Sequence, residues 1–173
     1  MRSIYKIVVC SLLTLSITSC EKDLLEKEQY QKEIYLIGAY NRVWTTEVSY
    51  SNEEVKTYFT VSSSGTLALD RDVNVKMKIN EELVDIYNKK YWTVLNEDKY
   101  YKSLDTDLYS IPSLENTVIK HAEGISAEVP VLIKTASLKI DQSYVIPVEI
   151  ESTTGYPISE SGYKMLILLK IKE

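Results

Sequence analysis

The sequence predicts an all-β fold, an antiparallel β-sandwich of about seven strands with one short helix and a long aromatic-rich loop. Two observations support this prediction. Apolar and polar residues alternate with a period of two in most segments after residue 33, and turn signals recur about every ten residues. This combination is typical of an immunoglobulin-like sandwich, and a Greek-key barrel is the alternative.

The N-terminal half contains three predicted strands. The first begins at Ile34 and the second covers residues 55–61. In the third, residues 73–80, all apolar side chains fall on one face and all polar side chains on the other. A strand with one buried and one exposed face requires this arrangement.

One helical segment follows the third strand. Acidic residues begin it, which favours a helix N-terminus, and apolar residues then recur three and four positions apart. We therefore expect a short helix from about Glu81 to Lys90. Residues 91–109 follow as a polar, aromatic-rich connection, which we expect to be a loop or a loose hairpin, and long connections of this kind are often functional.

The C-terminal part returns to the strand pattern. Short strands are expected at three places, residues 117–120, 129–133 and 138–140. Residues 144–151 alternate again, but Pro147 cannot donate a hydrogen bond to a sheet, so this strand should lie at an edge or carry a bulge there. Residues 164–172 are apolar on both faces, which indicates a central strand covered on both sides.

The first twenty residues have the pattern of a secretory signal. Two positive charges precede an apolar run, and small residues lead directly to Cys20. We predict a lipoprotein signal peptide at 1–19, diacylation of Cys20, a charged tether at 20–32 and the sandwich domain at 33–173. The apolar run is shorter than the roughly 20 residues of a transmembrane helix. An ordinary signal peptide, which would leave a soluble protein, stays open as the alternative.

Length and charge restrict the classes of partner. The chain has 173 residues, which suits one domain after removal of a signal peptide. Its net charge is -5, and loss of Arg2 and Lys6 with the signal peptide leaves the mature chain at -7. An acidic protein is a poor candidate for binding nucleic acid. Both cysteines lie in the first twenty residues, so the folded domain is expected to have no disulfide.

Residues that could support catalysis or metal binding are sparse. His121 is the only histidine, and it stands in a predicted turn without a cysteine nearby. Asp70, Asp72, Asp105 and Asp107 could contribute to a calcium site, but such a site needs about six to eight oxygens and loops often carry acids for solvation. There is no glycine-rich phosphate loop and no nucleophile elbow. We therefore expect no enzyme activity, no metal and no cofactor.

Tyrosine is unusually abundant, with fourteen residues against a single phenylalanine. Several lie in the loop after the predicted helix. We predict that Trp92, Tyr100 and Tyr101 contact a ligand or partner there, because polar and charged residues surround them and loops on a rigid scaffold often bind. The alternative is that these rings are structural, with Trp92 folded back over the end of the sandwich.

Several segments together are similar to a known family. They are Glu82–Asn88, Tyr109–Pro112 and Ser143–Ile150, of which the Tyr-x-x-Pro sequence starting at Tyr144 is the most specific. On these segments the chain resembles the uncharacterised N-terminal domain of Bacteroidota surface lipoproteins from glycan-utilisation loci. The resemblance implies an immunoglobulin-like fold and an outer-membrane location. The acidic run Glu21-Lys22-Asp23 resembles surface-export signals of the same bacteria, so we expect the domain to face the cell surface.

Two functions are compatible with these features. The first is a non-enzymatic, lipid-anchored accessory of glycan binding or uptake, whose partners are the membrane, a glycan or other surface lipoproteins. The second is a structural or assembly protein, similar to an adhesin or pilus subunit, that pairs with a partner by strand addition at the edge expected for the Pro147 strand.

Overall fold

Ten strands and one α-helix make up the part of the chain that the computed structural model describes, residues 31–140 and 142–172. The strands are β1 (Ile34–Leu36), β2 (Val43–Ser49), β3 (Glu54–Ser63), β4 (Val73–Ile79), β5 (Lys102–Ser103), β6 (Tyr109–Ser110), β7 (Thr117–Ile119), β8 (Ser126–Lys134), β9 (Tyr144–Thr153) and β10 (Lys164–Lys172). The helix α1 spans Glu82–Tyr91. The predicted signal peptide, Cys20 and most of the predicted tether lie outside the described residues.

The strands form two sheets. The first has the order β1-β3-β8-β6, and the second has the order β2-β10-β9-β4-β7 with β5 added against β9. The paired strands are antiparallel except β2 with β10 and β5 with β9, which are parallel. The predicted all-β sandwich with one helix is confirmed. The sequence did not indicate β2, β5 and β6, and residues 138–140 do not form the expected strand.

The main core is made of the alternating apolar residues of both sheets. In β4, Val73, Val75 and Met77 are at most 1% exposed, whereas the polar side chains between them are exposed. Phe59 of β3 and Ile146 of β9 are buried in the same cluster. Removing each such side chain from water contributes about 1.5–3 kcal/mol to folding, so this cluster holds the two sheets together.

A second apolar cluster lies on the outer face of β9 and β10. Leu83 and Val84 of α1 pack there against strand residues, which are Val145, Leu166 and Leu168. The helix therefore covers the face of β10 that points away from the main core. This arrangement confirms that β10 is a central strand buried on both sides, as its continuous apolar sequence indicated.

Pro147 does not mark an edge strand. β9 lies between β10 and β4 in its sheet, so the edge prediction is wrong. The N–H and C=O of a strand residue point to the same neighbour, and the Pro147 carbonyl accepts from the Asn80 N–H at 3.0 Å, just beyond the last β4–β9 pair. Further along the same side, β5 replaces β4 as the neighbour. The missing N–H thus falls in the gap between two neighbouring strands.

The bulge expected at Pro147 lies elsewhere. Lys76 pairs with Ser152 and Met77 with Ile150, so Glu151 is the extra residue on β9.

A partner strand cannot add to β9 at Pro147, because both sides of β9 are occupied by strands of the same sheet. In the described part of the chain, the strands with a single neighbour are β1, β6, β2, β7 and the short β5.

The helix agrees with its prediction to within one residue at each end. The segment after it is more ordered than the expected loop, since two 3-10 turns, Val94–Lys99 and Thr106–Leu108, flank β5. Within the described residues, none of the helices has both the length and the apolar character needed to cross a bilayer.

Candidate functional site

A cleft of about 450 Å³ lies where three parts of the described chain meet. These parts are the 3-10 turn Ala39–Asn41, one side of α1, and the first residues of β10 with the turn before them. Its lining combines aromatic, aliphatic and charged side chains: Tyr40, Tyr87, Tyr163, Leu83, Ile86, Met165, Leu166, Arg42, Glu160 and Lys164, with Ala39 and Ser161. A concave site with a mixed lining of this kind is where a small ligand is expected to bind.

The turn at one side of the cleft depends on two residues with positive φ. Gly38 precedes the turn at φ 89°, and Arg42 follows it at φ 64°. Among the described residues, Arg42 is the only non-glycine residue with positive φ. The Arg42 N–H donates to the Ala39 carbonyl at 2.8 Å, and the Leu166 N–H of β10 donates to the Arg42 carbonyl at 2.8 Å. Backbone strain of this type is often concentrated at functional sites, and here it positions Arg42 at the cleft.

Three tyrosines supply the aromatic part of the lining. Tyr40 stands at the turn with 87% of its surface exposed, whereas Tyr87 of α1 and Tyr163 are half-buried. The Lys164 amine lies 4.4 Å from the centre of the Tyr163 ring, within the range of a cation–π contact. The cleft therefore offers ring faces beside polar and charged groups.

Tyr87 is held by neighbouring rings. Its ring stacks on that of Tyr101, with centroids 5.3 Å apart and planes at 17°, and lies 4.4 Å from the ring of Tyr91. Burial raises the pKa of the Tyr87 hydroxyl, and the adjacent tyrosines raise it further. The hydroxyl therefore stays protonated at neutral pH, and a hydrogen bond with Tyr101 contributes to this shift.

The charged groups of the cleft are available for a ligand. In the described part of the chain, neither Arg42 nor Glu160 takes part in a salt bridge or a side-chain hydrogen bond. A guanidinium presents up to five donors and a carboxylate only acceptors. Arg42 can therefore donate a hydrogen bond to the oxygen of a ligand hydroxyl, and Glu160 can accept a hydrogen bond from such a hydroxyl.

The three residues predicted to contact a ligand are not part of the lining of the cleft. The ring of Tyr101 stacks on the ring of Tyr87. Tyr100 is half-buried and directly follows the 3-10 turn Val94–Lys99. Trp92 is half-buried as well, and its indole N–H is buried without a partner among the described residues. A direct role of these side chains in binding stays a prediction, but only Tyr101 contacts a residue that lines the cleft.

Sequence reasoning missed the cleft residues outside the helix. Tyr40 and Arg42 are more than a hundred residues from Tyr163 along the chain, and the parallel pairing of β2 with β10 brings them together. The available signal was local: Gly38 interrupts the alternation of the first strand, and a glycine at such a position often indicates a tight bend.

The acidic pairs and His121 have structural contacts instead of forming one site. The Asp72 carboxylate accepts from the His121 backbone N–H at 3.0 Å and lies 2.6 Å from the His121 Nδ1, and these bonds lower the pKa of Asp72. Asp70 pairs with Arg71 and Tyr156. Asp105 caps a 3-10 turn by accepting from the Asp107 N–H. In the described chain no three histidine, cysteine or acidic side chains come close enough to hold a metal ion.

Comparisons with solved structures place the fold among proteins of Bacteroides. A Bacteroides ovatus protein of unknown function aligns with 82% of this chain and 46% of its own, at a TM-score of 0.64 and 17% identity. An auxiliary nutrient binding protein of Bacteroides thetaiotaomicron aligns with 78% of this chain and 44% of its own, at a TM-score of 0.57 and 16% identity. EndoBT-3987 of the same species, in complex with Man5GlcNAc product, aligns with 80% of this chain and 30% of its own, at a TM-score of 0.57 and 20% identity.

This chain therefore spans less than half the length of each of these proteins. No curated protein matches the sequence. A family model described as a "-like, N-terminal domain" matches residues 30–157, which is most of the chain. The match confirms the resemblance found in the sequence, and the chain belongs to this family of N-terminal domains, whose fold recurs in proteins of Bacteroides.

Proposed function

We propose that this protein is a non-enzymatic, lipid-anchored surface domain that binds a glycan and so serves as an accessory in glycan capture or uptake. The observation that carries the proposal is the cleft beside α1. Three tyrosines line it together with Arg42 and Glu160, whose side chains form no salt bridge with a described residue.

The chemistry of the lining suits a sugar ring. One face of a pyranose is covered by C–H groups that pack on aromatic rings, while its hydroxyls both donate and accept hydrogen bonds. Tyr40 and Tyr163 supply ring faces, and Arg42 and Glu160 supply donors and acceptors. The volume of about 450 Å³ lies within the usual range of small-molecule sites, roughly 300–1,000 Å³.

Two of the structural neighbours support a role in nutrient or glycan binding. One is named for nutrient binding and the other contains the glycan Man5GlcNAc. Those names describe the neighbours, and the alignment covers less than half of each of them. They indicate which class of ligand to test with this chain. The reason to expect glycan binding is the lining of its own cleft.

Binding rather than catalysis is proposed because of the acids in the lining. Glycosidases generally use two carboxylates placed about 5–10 Å apart. Glu160 is the single carboxylate among the residues that line the cleft. A glycan bound in the cleft would therefore lack the second carboxylate that hydrolysis of a glycosidic bond generally requires.

Calorimetric titration with a panel of oligosaccharides tests the proposal, with Man5GlcNAc as the first member. Tyr40→Ala should weaken binding by about tenfold or more, equivalent to about 1.4 kcal/mol, and should leave the melting temperature unchanged because this ring is exposed. Tyr58→Ala is the matched control, since Tyr58 is also an exposed tyrosine but lies on β3 outside the cleft. Equal affinities of the two variants, or no binding by the unmodified chain, would refute the glycan proposal.

The location is a separate part of the proposal and has its own test. Cys20→Ala should abolish lipidation and release the protein from the membrane fraction. Protease treatment of intact cells then tests the surface orientation, since a surface domain is digested and a periplasmic one is protected. Membrane association of Cys20→Ala at the unmodified level after a high-salt wash, which weakens contacts between lysines and headgroups, would exclude the lipid anchor without affecting the argument for the cleft.

A further inference from the structure

An exposed aliphatic pair lies just after α1. Val94 is 76% exposed and Leu95 is 91% exposed, and they begin the 3-10 turn Val94–Lys99. Single apolar side chains on a surface need no explanation. Two adjacent ones, standing almost completely in water at the start of a turn, present a small apolar tip with no partner in the described part of the chain.

The segment that carries this tip is basic on balance, and it also contains the acids Glu97 and Asp98 of the same turn. Residues 89–102, called the basic loop below, contain four lysines and two acids and so carry +2, in a chain with a net charge of -5. The four lysines are Lys89, Lys90, Lys99 and Lys102, and none of them forms a salt bridge with a described acid. Lys89 and Lys90 also suit the C-terminus of α1, but Lys99 and Lys102 lie beyond the helix.

Aromatic rings lie beside the lysines. The Lys90 amine is 5.4 Å from the centre of the Tyr91 ring, and the Lys99 amine is 5.8 Å from the centre of the Trp92 ring. The basic loop therefore combines an exposed aliphatic pair, aromatic rings and ammonium groups that form no salt bridge with a described acid. None of its residues lines the cleft, and its contacts with the lining are those of the Tyr91 and Tyr101 rings with Tyr87. The aliphatic tip and the lysines are therefore outside the proposed glycan site.

We propose that the basic loop docks on the surface of a lipid bilayer that contains anionic headgroups. Val94 and Leu95 enter the boundary between headgroups and acyl chains, the exposed ring of Tyr91 lies at headgroup level, and the lysines contact phosphates. Tryptophan and tyrosine prefer that level of a membrane, and lysine stems extend from it toward the phosphates. A protein partner fits less well, because lysine is depleted from protein interfaces and leucine and valine are uncommon among their dominant contacts.

Vesicle co-sedimentation tests the docking in the absence of the lipid anchor. The protein is the chain without residues 1–19 and with Cys20→Ala, and the probes are vesicles of phosphatidylethanolamine with phosphatidylglycerol and vesicles of phosphatidylcholine. The chain should bind the anionic vesicles preferentially, and added salt should weaken this binding because it screens the lysines. Replacing Val94 and Leu95 together by Ser should weaken it by about tenfold.

Two controls identify the contact. Ile140→Ser removes another exposed aliphatic side chain outside the basic loop and should leave vesicle binding unchanged. Hydrogen–deuterium exchange should slow at residues 93–96 when anionic vesicles are present. Equal binding by the Val94/Leu95 variant and the unmodified chain would overturn the proposal. Failure of the unmodified chain to bind either vesicle would overturn it too, and would leave a protein as the partner of the loop.

Discussion

Asn88 and Tyr101 are joined by two hydrogen bonds that connect the helix to the aromatic loop. The Asn88 Nδ2 donates to the Tyr101 carbonyl at 2.9 Å, and the Tyr101 N–H donates to the Asn88 Oδ1 at 2.9 Å. Asn88 is 3% exposed, so this amide is a buried polar group with its partners in place. The same contact sets the backbone of Tyr101, whose ring stacks behind Tyr87 at the cleft.

Asn88→Ala should lower the free energy of unfolding by about 1–3 kcal/mol, because the N–H and C=O of Tyr101 lose their partners in a buried setting. Urea denaturation measures this change. Lys89→Ala, at the exposed neighbouring position, is the control and should change stability by less than about 0.5 kcal/mol. If the two variants were equally stable, the amide would not hold the loop. We also expect Asn88→Ala to weaken ligand binding at the cleft through the displaced Tyr87.

Ile146→Asp should prevent folding. Ile146 is fully buried in the main core, and an unpaired charge there is among the changes that exceed about 4 kcal/mol. Circular dichroism and solubility of the purified chain provide the measurement. Lys76→Gln is the control: it removes an exposed ion pair with Glu151, and such pairs contribute about 0–1 kcal/mol. A folded Ile146→Asp variant would contradict the assignment of the inward face of β9.

Tyr109→Phe should leave stability unchanged or raise it by up to about 1 kcal/mol. The Tyr109 hydroxyl is buried without a hydrogen-bond partner in the described structure, so removing it also removes a group that was desolvated without compensation. Thermal and urea denaturation at neutral pH measure the effect. A clear loss of stability would show that the hydroxyl has a partner, such as a buried water.

The same residue predicts how stability changes at high pH. Burial, and secondarily the charge of Glu81, raises the pKa of Tyr109 to about 12. In the unfolded chain this hydroxyl ionises near pH 10, so the unfolded state releases the proton first and stability falls as pH rises from about 10 to about 12. Tyr109→Phe should show a smaller fall over that range in urea denaturation. Identical pH dependence of the two proteins would mean that Tyr109 titrates normally.

Gly38→Ala should destabilise the turn beside the cleft. A methyl group at this position would lie 2.5 Å from the Trp44 ring, and φ is 89°, so we expect a loss of about 1–3 kcal/mol. Gly124→Ala is the matched control, because its φ is also positive but nothing lies within 4 Å of the added methyl group. The excess loss for Gly38→Ala measures the clash with Trp44. Equal losses would mean that the turn or the ring moves freely to accommodate it.

The sequence alone was sufficient for the features that depend on local alternation. The buried face of β4, the position of α1 and the double-sided burial of β10 all follow from which residues are apolar and how far apart they are. Burial of an apolar side chain is favourable wherever the chain places it, so the pattern identifies strands and their inward faces without knowledge of their neighbours.

The tertiary structure alone decided which strands are neighbours and what lies between them. Pro147 is tolerated in a central strand because β4 ends and β5 begins beside it, and the cleft exists because the Leu166 N–H bonds the Arg42 carbonyl across more than a hundred residues. Any strand edge can offer the same backbone donors and acceptors. A local sequence pattern therefore does not show which strand will be the hydrogen-bonding partner. The choice of partner strand depends on the packing of the whole sandwich. The same packing brings Tyr40, Tyr87 and Tyr163 together at the cleft.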